Sequence, residues 1–382
     1  MKLCKHVSHL LWAYLCLAGV APVCAETSLM TGIHYDACAS DSAAAVSGDE
    51  LTFPVKVAYK GEYFSFSVET AYSRAAVAVG DFTEAELASL TDTRLSVSYT
   101  YLFPAHPATL ALTLDVNLPT GKARLNQKQT IAELGVNNDL FAVDDFGEGF
   151  NIGLSCGLTW DFAEELLAVQ GTYLFKGKFD PTSEVADDDF APGDQFLLFG
   201  LLEYRVTPWL NLSTSVSYAY FFPDKIQEAE TFRQGNRFGI GGDVAIAHDA
   251  IEFSGSFQSI FSGRNVEIVE NTVKDEASNS GINLFGLTEF RYHLSANVAV
   301  TFQGDIRYYS ENDLKDTQTG LSYSGSRVRY AVGPGFAYFI NDQLSCDGVV
   351  KFFTLRQDRE QFLSDPANFQ GLNVDLGLTY TF

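Results

Sequence analysis

The fold is decided by the stretch GLNVDLGLTYTF, residues 371–382. In steps of two, Leu372, Val374, Leu376, Leu378, Tyr380 and Phe382 are apolar. The positions between them, Asn373, Asp375, Gly377, Thr379 and Thr381, are small or polar. A period of two puts alternate side chains on opposite faces of an extended chain, so the segment reads as a strand with one apolar and one polar face. It carries that alternation to an aromatic last residue, where a soluble domain usually trails off.

The same alternation recurs upstream. In DTRLSVSYTYLF (residues 92–103), Leu95, Val97, Tyr99, Tyr101 and Phe103 oppose Arg94, Ser96, Ser98 and Thr100. Residues 108–118, 209–222 and 297–309 repeat it, with Ser213, Ser215 and Ser217 on one polar face and Asp305 and Arg307 on another. The connections alternate too. Short turns fall after Lys60, Phe103, Phe162, Val206, His248, Leu294 and Ile340. Between them lie long polar stretches near residues 38–50, 74–91, 119–148, 180–193, 223–235, 263–280, 310–325 and 357–370. One short turn and one long loop recur about every 45 residues, and counting from residues 27–37 as the first strand gives about sixteen, with fourteen as the lower count.

A repeat of that length also fits a propeller blade, but a blade divides it into four short strands. Here each repeat holds two strands of about 10–14 residues. About twelve tilted residues cover the ~25 Å apolar band of a membrane barrel, whereas soluble strands average about five or six. Aromatics crowd the strand ends: Tyr59, Trp160, Phe162, Tyr204, Tyr292, Tyr338 and Phe382 near short turns, and Tyr72, Tyr173, Tyr218 and Tyr308 near long loops. Amphipathic rings favour the headgroup level, which predicts two girdles. Unpaired strand edges find no water in lipid, so the sheet must close on itself. The expected fold is an all-β, antiparallel, up-and-down transmembrane β-barrel.

Composition bounds the rest. Lys2, Lys5 and His6, an apolar run from Leu10 to Val20 and the small residues before Glu26 read as a secretory signal over residues 1–25. Residues 26–382 then form a single barrel domain. A formal charge of −23 excludes an electrostatic case for nucleic-acid binding. No apolar run after residue 25 is long enough for a membrane-spanning helix. Of six cysteines, Cys38, Cys156 and Cys346 fall outside the signal, too widely spaced for a disulfide framework or a zinc site. The loop acids of residues 184–189 and 267–276 lack the alternating ligand order of a calcium loop, so no metal or other cofactor is expected. The remaining histidines, His34, His106, His248 and His293, do not gather with a serine or an acid into a nucleophilic set, so no enzyme is expected.

The terminal strand, with polar Asp375, then Gly377, then Tyr380 and Phe382, resembles the insertion signal of Gram-negative outer-membrane β-barrels. Together with the signal segment and the loop alternation, the resemblance spans residues 26–382. It implies an outer-membrane location, lipid and lipopolysaccharide as surroundings, and the barrel-assembly machinery as a partner during insertion. Trimers are usual among the resembling porins, although no stripe of lipid-face residues here identifies an interface.

If the apolar alternates face lipid, the polar ones line the lumen, and sixteen strands normally leave an aqueous channel. Arg307, Arg327 and Arg329, with Arg237 at a similar depth further round, then form either an anion-attracting wall or braces paired with carboxylates such as Asp305. In general diffusion porins the third long loop folds inward and sets its acids against wall arginines. Residues 119–148 match that position, and Asp139, Asp144, Asp145 and Glu148 are the candidate constriction acids. The segment NLPTG (residues 117–121) resembles a short motif of outer-membrane transporters for aromatic compounds. The expected function is passive diffusion of small polar solutes or ions. A transporter for a hydrophobic or aromatic compound, and a non-conducting structural or adhesive barrel, are the alternatives.

Overall fold

The computed structural model describes residues 26–41, 46–79, 83–134, 140–141, 143, 146–183, 190–269, 272–274, 281–311, 325–358 and 366–382. The signal segment and Asp139, Asp144 and Asp145 lie outside them.

Sixteen antiparallel strands form a closed barrel. They are β1 (Glu26–Ser40), β2 (Val46–Lys60), β3 (Phe64–Val79), β4 (Thr93–Leu102), β5 (Ala108–Leu118), β6 (Asn151–Phe162), β7 (Glu165–Lys176) and β8 (Gln195–Thr207). The second half comprises β9 (Leu210–Phe221), β10 (Arg237–His248), β11 (Ile251–Ser262), β12 (Gly281–His293), β13 (Val298–Tyr309), β14 (Arg327–Phe339), β15 (Leu344–Gln357) and β16 (Ala367–Thr381). Each strand pairs with its neighbours in sequence, and β16 pairs with β1 from Ser28↔Thr381 to Ser40↔Phe369. Among the described residues closure pairs each barrel strand on both sides at membrane level, the condition for a sheet in lipid.

The alternation read from the sequence sets the sidedness. Val55, Val57 and Tyr59 on β2, Leu112 and Leu114 on β5, and Leu376 and Leu378 on β16 are exposed on the outside. Their polar neighbours point inward. Tyr59, Phe162, Tyr204, Tyr292 and Tyr338 are exposed near the short-turn rim, and Tyr380 and Phe382 stack edge to face with centroids 4.7 Å apart. Ala163 (φ 46°) and Asp249 (φ 53°) take left-handed backbone in two of the short turns, which tightens the reversal.

Two stretches expected to be loops are strand. β1 and β2 run on to Ser40 and back from Val46, and β3 continues to Val79, where residues Thr83–Leu90 pair back along it. In these upper extensions the faces invert. Ala75, Val77, Ala85 and Leu87 are buried inside, while Arg74 and Glu86 pair outside at 2.6 Å. Water lies outside at this height and packed chain lies inside, so the apolar face turns inward. Parts of three further long loops also carry strand. Residues Phe190–Ala191, Asp224–Ile226, Ala229–Arg233, Val266–Val269 and Thr272–Lys274 form a five-stranded sheet above the rim.

Two prolines interrupt the ladders at mid-height. Pairing of β1 with β2 skips Gly32 and Ile33 opposite Phe53 and Pro54. Pairing of β14 with β15 skips Gly333 and Pro334 opposite Val350 and Lys351. Proline has no N–H to give the ladder.

Candidate functional site

The inward side chains sort into two walls. On the charged wall Asp305 of β13 is the hub. Arg329 of β14 donates to it, Lys351 Nζ of β15 lies 3.3 Å away and Arg307 Nε 3.8 Å away. Arg307 and Arg329 face each other directly across the strands. Like charges so placed repel, and the shared carboxylate offsets this.

From there the contacts run round the wall. Arg329 also donates to Asn373 Oδ1 on β16 at 2.5 Å, and Asn373 donates to Asp36 on β1 at 2.5 Å. His34 then sits between Asp36, 2.8 Å from Nε2, and Asp375. Arg329, Asn373 and Asp36 are buried, so each depends on its partners for solvation. Nearer the short-turn rim, Arg291 pairs with Glu289 at 2.8 Å and Glu252 at 3.6 Å, and Lys56 pairs with Glu69 at 3.4 Å.

The facing wall, β4 to β11, is richer in small hydroxyl residues and glycine, with Arg94, Asp115, Glu203, Arg205 and Asp243 among them. Ser98 bonds Thr113 at 2.8 Å, Ser155 bonds Thr172 at 2.8 Å, and Ser213 donates to Asp243 at 2.6 Å. Ser215, Ser217, Gly239 and Gly241 continue it through the cross-strand register. Short hydroxyls satisfy one another and still offer lone pairs and protons to water. Leu197, Phe199 and Leu201 on β8 are an apolar strip within this wall.

The segment between β5 and β6 crosses from one wall to the other. It contains the helix α1 (Gln127–Leu134), capped reciprocally by Asn126 and Gln129: Gln129 N donates to Asn126 Oδ1 at 3.0 Å and Asn126 N to Gln129 Oε1 at 3.1 Å. Ile131 and Ala132 of α1 pack with Phe146 against Ala75, Ala85 and Leu87. Leu140 and Phe141 lie among Cys38, Val46, Val77, Ala331, Phe353, Leu355, Ala367 and Phe369. All eight are inward positions of β1–β3 and β14–β16, so this part of the segment sits inside the barrel mouth. Glu50, fully buried, accepts from Val143 N at 2.9 Å and from Thr52 at 3.2 Å.

The arginines named from the sequence are only partly brought together. Arg307, Arg327 and Arg329 share the β13–β14 seam, where Arg327 lies over the Tyr309 ring at 4.5 Å. Arg237 stands apart on β10, over Phe221 at 5.5 Å. Glu148 does not face the arginines. It closes the segment beside β6 and β7, its carboxylate 4.0 Å from Lys176, because it lies only three residues before β6 begins. Of the assembly-signal residues, Asp375 faces His34, Gly377 pairs with Gly32, and Phe382 N donates to Thr27 O at 2.8 Å. Asp92 and Glu50, whose carboxylates hold the crossing segment, were read only as ordinary strand and loop residues. An acid beside a strand boundary was their sole signal.

No family model matches the chain, and no curated protein matches it. Among solved structures it is similar to a bacterial polysaccharide outer membrane secretin, at 10% identity over 95% of this chain and 99% of that one, with a TM-score of 0.45. An outer membrane channel from Pseudomonas putida F1 is 9% identical over 95% and 97%, with a TM-score of 0.41. A deletion mutant of the TodX monoaromatic hydrocarbon channel is 10% identical over 95% and 91%, with a TM-score of 0.44. Each is a likeness in barrel architecture, and the barrel itself stands on the strand pairing described above.

Proposed function

We propose that the protein is an outer-membrane channel through which small polar solutes diffuse passively, with no catalytic step and no bound cofactor. The hydroxyl wall from β4 to β11 carries this reading. A lumen face rich in serine, threonine and other polar side chains offers hydrogen bonds to water and neutral polar solutes and so lowers their desolvation cost, which an apolar core would not do. The opposite wall adds fixed charge, and the segment carrying Leu140 and Phe141 narrows the mouth from that side. The exposed apolar band outside, rimmed by aromatics, suits lipid. The deciding experiment is single-channel recording of the refolded barrel in planar bilayers. Stable openings that scale with salt concentration are expected, and absence of current would sink the proposal.

A second reading has its own observation. Leu197, Phe199 and Leu201 form an apolar strip on the lumen side, and Phe353, Leu355 and Phe369 form an apolar collar around Leu140 and Phe141 at the mouth. These features suit a hydrophobic or aromatic solute. Liposome-swelling rates separate the two: a polar channel passes small sugars faster than it passes a monoaromatic compound of similar size, and the reverse order favours the second reading.

A further inference from the structure

The NLPTG segment, residues 117–121, is not accounted for by either wall. Its first and last residues, Asn117 and Gly121, converge on one side chain outside it, Asp92. That residue sits at a register slip: Tyr72 of β3 faces Leu90, yet Glu69 faces Arg94, so two residues of β3 oppose three. The bulge shifts the inward phase from odd residues (Ala85, Leu87) to even ones (Asp92, Arg94), and Asp92 is 9% exposed.

Asp92 accepts three hydrogen bonds from both legs of the crossing segment. On the outgoing leg Gly121 N donates to Oδ1 at 2.9 Å and Asn117 Nδ2 to Oδ2 at 2.7 Å. On the returning leg Glu148 N donates to Oδ2 at 2.7 Å, and Asn117 also donates to Gly149 O at 2.8 Å. Thr120 fastens the outgoing leg again, its Oγ1 accepting from Thr93 N at 2.8 Å. The legs pass so closely that a Cβ on Gly121 would lie 1.8 Å from Phe146 O, and one on Gly147 2.7 Å from Ala123 N. Hydrogen bonds to a carboxylate are about twice as strong as neutral ones.

We propose that Asp92 is a positioning residue of the channel. Its carboxylate clasps both legs of the segment, and this fixes how far Leu140 and Phe141 reach into the lumen. The inference deepens the channel reading, and its first readout does not depend on conduction.

The test uses the full barrel with Cys38, Cys156 and Cys346 replaced by alanine and Leu140→Cys as a probe, since Leu140 is 1% exposed. A membrane-impermeant maleimide is added from the long-loop side. Asp92→Ala is expected to speed labelling about tenfold or more, as local opening exposes the site, and to raise unitary conductance about 1.5- to 2-fold. Gly121→Ala leaves the carboxylate in place but forces the legs apart, and should act the same way. Asp92→Asn keeps one acceptor oxygen and should fall between. Should Asp92→Ala fail to reach the folded, heat-modifiable form, the other two variants decide. Unchanged labelling in the folded variants overturns the clasp. Faster labelling with unchanged conductance overturns its control of the path. If the parent barrel carries no current, the channel reading fails, while labelling still decides the clasp.

Discussion

Asn373 on β16 donates to the carboxylate of Asp36 on β1 at 2.5 Å, across the seam where the barrel closes. The same amide accepts from Arg329 at 2.5 Å, so it holds a carboxylate on one side and a guanidinium on the other. Replacing it by leucine takes one hydrogen-bond partner from each buried charge, leaving Asp36 with His34 and Arg329 with Asp305. Asn373→Leu is therefore expected to destabilise the barrel by about 2–3 kcal/mol, read as a lower denaturant midpoint of the refolded protein. A midpoint equal to the parent's would mean that water replaces the amide without cost.

The seam arginines should separate into two kinds. Arg307 has 38% of its side chain exposed and Arg329 has 4%. Arg307→Gln is expected to shift the reversal potential in a salt gradient toward cations while changing stability by no more than about 0.5 kcal/mol. Arg329→Gln leaves Asp305 short of a buried partner and should cost about 3 kcal/mol or more. Equal effects of the two on both readouts would contradict a division between field and brace.

At the long-loop rim, Asn368 donates to Asp41 from its side chain and its backbone, both at 3.0 Å. These bonds hold the Asp41 carboxyl below its ordinary value of 3.8. A lowered folded value means that the contribution is present above the unfolded value and is lost as pH falls through the folded one. Exchange of the Asn368 amide should accelerate below about pH 4. In Asp41→Asn that acid-dependent step should disappear, and a step of the same size in the variant would assign it to another group.

Phe382 stacks on Tyr380 on the outside of the barrel and is tied to Thr27 through its backbone. Its ring leaves the lumen untouched. Phe382→Ala is expected to reduce the amount of barrel inserted in cells several-fold, with the reversal potential of the inserted fraction unchanged. Normal yield would remove it from the assembly signal.

The membrane-level wall was legible because one rule, apolar outward and polar inward, holds along each strand from Leu376 on β16 to Val55 on β2. The upper extensions were not, because the rule inverts there. Ala75, Val77, Ala85 and Leu87 alternate as faithfully as any lipid-facing run, but with small apolar residues on the inner face and Arg74, Glu84 and Glu86 on the outer. Read by the membrane rule, residues 74–91 look like a polar loop. The arginine neighbourhood on β13 and β14 was readable from strand adjacency. Its continuation through Asn373 to Asp36 was not, since it joins residues hundreds of positions apart and depends on where β16 meets β1. Asp92 was hidden for another reason: alternation with Arg94 and Ser96 already turns it inward, but nothing local marks the donors from residues 117, 121 and 148 that reach it.

Pro54 and Pro334 leave β15, β16 and β1 as a panel fastened along each long side by a ladder with a gap at mid-height. A sheet under tension tears along its least-stitched lines. The seam joining the first and last strands lies inside that panel, and its register runs unbroken from Ser28↔Thr381 to Ser40↔Phe369. Pulled apart mechanically, the cylinder would part on either side of its own closure and shed three strands as one stave, with the join between the chain's two ends still intact.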